Sequence, residues 1–240
     1  MKSIVRTNFE DSVSAYAAYE RRTGRFTALA RLLAAEMSAR ANGPFDSVLD
    51  AGSGTGVSTN IFAERSRWTV ALDFSREMLR EVESAPRVEA DFDHLPFVDG
   101  SFDGVAFTAS LFLVPDPAIA TREAARVVRS DGVVGAVAPL GWTNTDGTDI
   151  FDGLARESRS PTGVEDVETA FEDEFAVTAG TWRFATTAES VRRFHAIPAM
   201  AARLYPKLPV EERVAKAREL LDSLDGTVEQ RWRWIVGVAV

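Results

Sequence analysis

The chain has 240 residues, of which 45% are hydrophobic and 26% charged, and its formal net charge is −9 at pH 7. This composition is typical of a globular protein, and the acidic balance disfavours a nucleic-acid substrate, because phosphate backbones are bound by clustered Lys and Arg. The chain has two histidines, no cysteine and no apolar stretch long enough to span a membrane or direct export, so we expect a cytoplasmic protein without disulfides or a metal site.

The stretch over residues 8–41 has the pattern of amphipathic helices. Apolar residues recur at helical spacing on both sides of Gly24, which predicts two helices with a break at that glycine. The sequence Asn42-Gly43-Pro44 then ends the helical region and precedes the first strand.

A glycine-rich turn follows the first apolar run, residues 45–49. Asp50 ends this run, and Gly52, Gly54 and Gly56 follow at alternate positions. This pattern predicts a strand, a turn that allows close backbone approach to a ligand, and the N-terminus of a helix over 57–65. A dinucleotide fingerprint requires a small residue at position 57, and Val57 is found there instead.

Two more acidic residues end the next two apolar runs. Asp73 follows the run 68–72, and Asp91 follows the run 87–90. The carboxyl ends of parallel strands meet at one edge of a sheet, where a carboxylate can accept hydrogen bonds from both hydroxyls of a ribose. Three acids at this edge favour a ligand with positive charge over one that carries pyrophosphate, because like charges repel.

Strands and helices alternate through this part of the chain. The predicted strands are 45–50, 68–73, 87–90, 103–109 and 133–139, and the predicted helices are 57–65, 75–84 and 116–128. Strands joined by helical crossovers predict a parallel, doubly wound α/β sheet. Beyond residue 140 we expect a polar loop over 141–148, helices over 149–158, 187–205 and 210–224, and strands over 175–184 and 231–240.

Three ordered motifs within residues 45–140 resemble those of one family. They are the Asp-x-Gly-x-Gly-x-Gly turn at 50–56, the stretch Asp-x-x-x-Leu-Pro-Phe-x-Asp-x-Ser-Phe-Asp at 91–103, and the turn at 126–134. Together they resemble the class I S-adenosylmethionine-dependent methyltransferases of the type 11, ubiquinone and menaquinone biosynthesis kind. In the third motif Ser130 and Asp131 replace Pro and Gly, and we expect the remaining Gly132 to take the positive φ angle of the turn.

The resemblance implies a Rossmann-like, doubly wound seven-stranded sheet. Most strands would be parallel, with an antiparallel edge hairpin formed by the last two predicted strands, together with N-terminal helices and a C-terminal helical insert. It also implies a single methyltransferase domain over 1–240, with a helical cap at 1–42, a cofactor-binding core at 43–140, and a substrate-side elaboration with edge strands at 141–240.

The same resemblance implies S-adenosylmethionine as the cofactor. Gly52, Ser53 and Gly54 would lie against its methionine portion, Asp73 against the ribose, and Asp91 with Phe92 against the adenine. The complete predicted cofactor set is Asp50, Gly52, Ser53, Gly54, Asp73, Phe74, Met78, Asp91, Phe92 and Thr108. Tyr16 or Tyr19 would contact the cofactor from the cap, although amphipathic helix packing explains both tyrosines as well.

The implied activity is methyl transfer to an oxygen, nitrogen or carbon nucleophile of a small molecule. Nucleic-acid amino-methyltransferases commonly carry an Asn/Asp/Ser-Pro-Pro-aromatic sequence where this chain has residues 108–111, which favours a small-molecule acceptor. The catalytic residue is left unassigned, because methyl transfer requires chiefly alignment and exclusion of water. His195 is the candidate base, ahead of His94, although a histidine is more often a structural residue.

Two other functions stay open. The first is an NAD(P)-binding oxidoreductase with the same fold, against which Val57 speaks. The second is a non-catalytic, S-adenosylmethionine-binding regulatory module, because many relatives carry histidines near positions 111 and 112, where this chain has Leu and Phe. The acceptor and the oligomeric state are not assigned.

Overall fold

The computed structural model describes residues 2–152 and 163–239. The chain forms two compact units. Unit 1 comprises Met1–Gly24, Pro139–Pro161 and Thr181–Trp232, and unit 2 comprises Arg25–Ala138, Thr162–Gly180 and Arg233–Val240.

The elements alternate as the sequence predicts. In chain order they are α1 (Lys2–Glu10), α2 (Val13–Thr23), α3 (Arg25–Ser38), β1 (Phe45–Ala51), α4 (Val57–Ala63), β2 (Ser66–Asp73), α5 (Arg76–Arg80), β3 (Arg87–Glu89), β4 (Phe102–Thr108), a 3-10 turn (Leu111–Leu113), α6 (Pro117–Val127), β5 (Val128–Asn144), α7 (Val164–Glu172), β6 (Ala176–Thr187), α8 (Ala188–His195), α9 (Pro198–Leu204), α10 (Val210–Leu220) and β7 (Thr227–Val238).

The described strands form one seven-stranded sheet in the order β3-β2-β1-β4-β5-β7-β6. The pairs from β3 to β5 are parallel, and β7 with β6 completes an antiparallel edge, so the predicted fold class is confirmed. In the register Asp50 lies opposite Ala71 of β2 and Ala106 of β4, and Asp73 lies opposite Glu89 of β3. The acidic strand ends therefore share one edge of the sheet.

The centre of unit 2 is buried on both faces of the sheet. All seven residues of β4 are buried, so this strand does not alternate between apolar and polar positions. Helix α3 packs on β4 and β5 at glycines, where a Cβ atom at Gly135 would lie 2.7 Å from Sδ of Met37 and one at Gly104 would lie 3.4 Å from its Cε. The two glycines thus allow the helix to approach the sheet closely.

Gly24 breaks the N-terminal helices as predicted. It has φ 57 and donates its N–H to the carbonyl of Glu20 at 2.8 Å, which ends α2 before α3 begins. A second break after α1 was not predicted. There the buried Ser12 donates its hydroxyl to the Asn8 carbonyl at 2.6 Å and accepts the Ala199 N–H at 2.9 Å, within unit 1.

The turn into β5 differs from the prediction. Asp131 has the positive φ angle, 66°, whereas the φ angle of Gly132 is not positive. Gly132 is needed for space instead, because a Cβ there would lie 2.5 Å from Cγ2 of Val128 and 2.9 Å from the Arg129 carbonyl oxygen. Asp tolerates the left-handed region better than most residues, so the aspartate takes the turn while the glycine allows close packing.

Unit 1 has an aromatic and aliphatic core of its own. Its buried members are Trp142, Ile150, Phe151, Val191, Ala201, Leu204, Tyr205, Ala217, Leu221 and Val228. Of the predicted helix over 149–158, residues 149–152 form a bridge and turn, and residues 153–158 lie outside the described residues. Every helix in the described ranges is too short or too polar to cross a membrane.

Candidate functional site

The turn between β1 and α4 lies in unit 2 and has the conformation that its glycines allow. Gly52, Gly54 and Gly56 have φ angles of 79°, 53° and 87°, all in the left-handed region. The backbone N–H groups of Gly52 and Ser53 donate to the carbonyl oxygen of Leu72 at 2.7 and 3.0 Å. The turn is therefore fastened to the carboxyl end of the neighbouring strand.

Gly52 lies where two other segments meet the turn. A Cβ atom built at this position would lie 2.3 Å from Cβ of Ser110 and 3.0 Å from Cζ of Phe92. The hydroxyl of Ser110 donates to the Ala51 carbonyl at 2.7 Å, and the Phe92 ring packs edge-on against Phe107 at a centroid distance of 5.4 Å. The structure thus brings Phe92, a predicted site residue, to the glycine turn.

Asp50 is a buried carboxylate with hydrogen-bond partners on only one of its two oxygens in the described ranges. Its Oδ2 accepts hydrogen bonds from the hydroxyls of Ser58 at 2.8 Å and Thr59 at 2.7 Å. Its Oδ1 is buried and has no hydrogen-bond partner among residues 2–152 and 163–239. Burial raises the pKa of Asp50 from 3.8 to about 6; the two hydroxyls act against this rise, and the charge of Asp73 adds to it.

Asp73 joins the end of β2 to the glycine turn. Its Oδ2 accepts the Gly54 N–H at 2.9 Å, and its Oδ1 accepts the Ser75 N–H at 2.8 Å. The side chain is buried, and its charge raises the pKa of Asp50. Both carboxylate oxygens of Asp73 thus hold backbone N–H groups, one in the glycine turn and one at the start of α5.

The residues predicted on the adenine side follow the next strand. Asp91 lies two residues after the end of β3, and the Ala90 N–H between them donates to the carbonyl of Asp73 at the end of β2 at 3.1 Å. Asp91 is half-buried, and its Oδ1 accepts the Asp93 N–H at 3.2 Å. Phe74 is half-buried, and Met78 is buried in α5 with 2% of its surface exposed.

Two buried hydroxyls at the same edge have no hydrogen-bond partner in the described part of the chain. They are Oγ of Ser53 in the glycine turn and Oγ1 of Thr108 at the end of β4. An unsatisfied buried polar group costs roughly 1–3 kcal/mol. With Oδ1 of Asp50, three predicted site residues thus have polar atoms without partners in the described ranges, and Gly54 has open space where a Cβ atom would stand. These features fit a small polar ligand that carries positive charge.

The comparisons with known proteins agree with this geometry. Residues 49–135 match the methyltransferase domain family. This segment is therefore similar to methyltransferase domains, and it contains the glycine turn, Asp73 and Asp91. The demethylmenaquinone methyltransferase of Mycolicibacterium vanbaalenii is 44% identical to this chain over 91 residues, which are 37% of this chain and 40% of that protein. The chain thus spans about 40% of the length of the curated relatives that it matches.

Solved structures share the fold of the methyltransferase domain over more of the chain. The YcgJ protein of Bacillus subtilis has a TM-score of 0.62 at 19% identity, covering 86% of this chain and 97% of its own. The Burkholderia thailandensis 1,6-didemethyltoxoflavin-N1-methyltransferase, solved with S-adenosylhomocysteine and 1,6-didemethyltoxoflavin, has a TM-score of 0.55 at 18% identity, covering 100% and 88%. At these identities the likeness concerns the fold.

His195 lies in unit 1, outside the methyltransferase domain match. It is buried among the rings of Phe151, Phe194 and Trp142, with centroid distances of 5.0, 5.2 and 5.9 Å. Its Nδ1 lies 2.9 Å from the Val191 carbonyl oxygen. A carbonyl oxygen can only accept, so Nδ1 carries the proton and the basic lone pair of the neutral ring is on Nε2. His94, the other candidate, is exposed.

The tyrosines predicted in the cap pack within unit 1. The ring of Tyr16 stacks on Phe9 at 5.8 Å, and the buried ring of Tyr19 packs against Phe194 at 5.4 Å. These contacts are those of amphipathic helix packing, the second of the two interpretations that the sequence leaves open.

Ser110 was missed by the sequence analysis, although it fills the space beside Gly52. The signal available was its place just after a predicted strand whose carboxyl end lies beside that of β1. The preceding Ala109 has φ 58, a left-handed angle that is uncommon for alanine. Strained backbone of this kind tends to occur where ligands are held.

Proposed function

We propose that the protein transfers a methyl group from S-adenosylmethionine to a small-molecule acceptor. The observation that carries this proposal is the pair of buried carboxylates, Asp50 and Asp73, held beside the glycine turn. Two such charges attract a cation, and S-adenosylmethionine carries positive charge at its sulfonium and its ammonium group.

The residues of the methyltransferase domain divide the work of holding this cofactor. Gly52, Ser53 and Gly54 would lie against its methionine portion, because the turn has neither Cβ atoms at the glycines nor a partner for the Ser53 hydroxyl in the described chain. Asp73 would accept the ribose hydroxyls. Asp91 would accept the adenine amino group.

Further members of the predicted set complete the adenosine side. Phe92 would cover the adenine ring, and Phe74, Met78 and Thr108 would form the rest of the predicted site around the cofactor.

The cofactor, when bound, supplies a methyl group that its sulfonium already activates. The protein has to orient the acceptor in line with that methyl group and to exclude water, and such orientation can account for much of the acceleration. An acceptor that is a hydroxyl or a protonated amine also needs a base, for which His195 is the candidate that the sequence offers.

An NAD-type cofactor fits the same turn less well. Its pyrophosphate would bring negative charge to Asp50 and Asp73. Val57 also occupies the position where a dinucleotide fingerprint has its small residue. The small residue that permits close packing is Gly56 instead, where a Cβ atom would lie 3.1 Å from Cγ2 of Val82.

A small ring compound is the class of acceptor that the relatives suggest. The curated relatives are named for demethylmenaquinone, and a solved neighbour is named for 1,6-didemethyltoxoflavin. The identity of the acceptor is best found by incubating the protein with a labelled methyl donor and a pool of small metabolites. Label in a product supports methyl transfer, whereas cofactor binding without any labelled product would favour the regulatory alternative.

Titration calorimetry with S-adenosylmethionine, S-adenosylhomocysteine and NAD tests the cofactor. We expect the first two to bind, and binding of NAD alone would overturn the proposal. Asp73→Ala should weaken binding by about 1.5–3 kcal/mol, the usual value of hydrogen bonds to a charged group. Glu83→Ala is the matched control, because Glu83 is an exposed acid of the same unit. Equal affinity of the Asp73→Ala variant and this control would remove Asp73 from the site.

A further inference from the structure

The loop between β3 and β4 is fastened to helix α6 by the side chain of Arg126. Its Nη1 donates to the Phe97 carbonyl at 2.8 Å and to Oδ1 of Asp99 at 2.9 Å, and its Nη2 donates to the Leu95 carbonyl at 3.0 Å. The Arg126 carbonyl also accepts the Gly100 N–H at 3.0 Å. Side chain and backbone of one residue therefore hold the loop at four points.

Glu123, one helical turn earlier, completes this arrangement. Its Oε1 accepts from Nε of Arg126 at 2.9 Å, and its Oε2 accepts from Nη2 of Arg126 and from the Leu95 N–H, both at 2.8 Å. The hydrogen bond from Arg126 lowers the pKa of Glu123. All five N–H groups of the guanidinium are thus used, three on the loop and two on Glu123.

We call Arg126 and Glu123 together the clamp. A short path of hydrogen bonds leads from the clamp to Asp91. Leu95, which the clamp holds at both its N–H and its carbonyl, is buried. The adjacent His94 donates its N–H to the Asp91 carbonyl at 3.2 Å, and Asp93 donates its N–H to Oδ1 of Asp91. The carboxylate of Asp91 therefore has its direction set by the segment that the clamp holds.

We propose that Arg126, together with Glu123, is a positioning residue for adenine recognition: by holding the loop it orients Asp91 toward the amino group of the base. This inference rests on the proposed function. It gives α6 a role in cofactor selectivity without contact to the cofactor.

Lysine cannot replace arginine in this role. Its ammonium keeps the charge but has three donors at one point, whereas the guanidinium spreads five donors over a rigid plane. In Arg126→Lys the two loop carbonyls and the carboxylates of Asp99 and Glu123 cannot all be reached at once. The loop then has to be ordered when the cofactor binds, so Asp91 reads the base less well.

The test compares two ligands that differ only in the base. In S-inosylhomocysteine a carbonyl oxygen replaces the adenine amino group of S-adenosylhomocysteine, so the exocyclic position presents an acceptor to a carboxylate instead of a donor. The wild-type protein should prefer S-adenosylhomocysteine by about tenfold or more, as expected for a hydrogen bond to a charged acceptor. In Arg126→Lys this preference should fall to about threefold or less.

Two controls separate positioning from general damage. Arg122→Lys changes an exposed arginine of the same helix and should keep the wild-type preference. The ratio of affinities for S-adenosylhomocysteine and its 2′-deoxy analogue should be unchanged in Arg126→Lys, because Asp73 reads the ribose from another strand. Urea denaturation establishes that each variant is folded. If Arg126→Lys does not fold, Glu123→Gln, which keeps an oxygen for the Leu95 N–H, should lose part of the base preference.

The outcomes are distinct. A folded Arg126→Lys protein that keeps the full preference for the adenine ligand overturns the inference alone. A wild-type protein that binds both ligands equally overturns the inference and the proposed adenine contact of Asp91, but not the proposed methyl transfer. A wild-type protein that binds neither S-adenosylmethionine nor S-adenosylhomocysteine overturns the proposed function and this inference with it.

Discussion

Asp50→Asn is expected to stabilise the fold at neutral pH while it weakens cofactor binding. The carboxylate is fully buried, and its Oδ1 lacks a partner anywhere in the described ranges. The pKa of Asp50 is about 6 in the folded protein, against 3.8 for the ordinary value. Because the folded pKa is raised, the folded state holds a proton between pH 3.8 and about 6 that the unfolded state has released, so wild-type stability falls as pH rises through this window.

The size of the effect follows from the same two values. A difference of about two pKa units corresponds to about 3 kcal/mol at pH 7 and above. Asparagine is neutral and nearly isosteric, and its Oδ1 can still accept from the hydroxyls of Ser58 and Thr59. The free energy of unfolding of Asp50→Asn should therefore exceed that of the wild type by up to about 3 kcal/mol above pH 7 and should approach it near pH 4.

Urea denaturation from pH 4 to 8, followed by circular dichroism, measures this difference. The control is Asp46→Asn, which changes an exposed carboxylate of the same strand and should not show the gain in stability at pH 7.5. A lower stability of Asp50→Asn than of the wild type at pH 7.5, or a stability difference that is constant over this pH range, would contradict the expected effect of the buried charge. The variant should also lose more affinity for S-adenosylmethionine, which is cationic at sulfur, than for S-adenosylhomocysteine, which is not.

The remaining predictions concern backbone conformation. Gly52→Ala should destabilise the protein strongly and abolish cofactor binding, because the new Cβ would lie 2.3 Å from Cβ of Ser110. Gly54→Ala should cost only about 1–2 kcal/mol of stability for its positive φ, since no described atom lies within 4 Å of the new Cβ, yet it should weaken cofactor binding by covering the turn. At the start of β5, Gly132→Ala should destabilise the protein, whereas Asp131→Gly should be neutral or stabilising by up to about 1 kcal/mol, because it relieves the left-handed residue. Thermal denaturation and calorimetry with S-adenosylhomocysteine measure all four variants, and a Gly54→Ala protein with unchanged affinity would contradict the proposed contact with the cofactor.

The sheet and its acidic edge could be predicted because their signals are local. A short apolar run that ends in an acid and a glycine turn predicts a strand end, and alternation with helices predicts parallel strands. Asp50 and Asp73 therefore come together from sequence order alone. In the structure, the Gly54 N–H of the turn after Asp50 donates to Asp73 at 2.9 Å.

Other features depend on contacts between residues far apart in the chain. Ser110 follows β4 and meets Gly52, which follows the neighbouring strand β1. Arg126 in α6 meets the loop between β3 and β4. The positive φ angle belongs to Asp131, while Gly132 lies beside Val128, where a Cβ atom has no room. Spacing within the sequence contains no information about such distances.

The sequence by itself determined the class of fold and the sheet edge at which the acidic strand ends meet, because both follow from the order of apolar runs, glycines and acids. The tertiary structure decided how these residues act together. It placed Asp50 in surroundings where burial raises its pKa, and it joined Arg126 to the loop that carries Asp91. The physical reason is that desolvation and hydrogen-bond geometry depend on what surrounds a group in three dimensions, which neighbours in sequence do not specify.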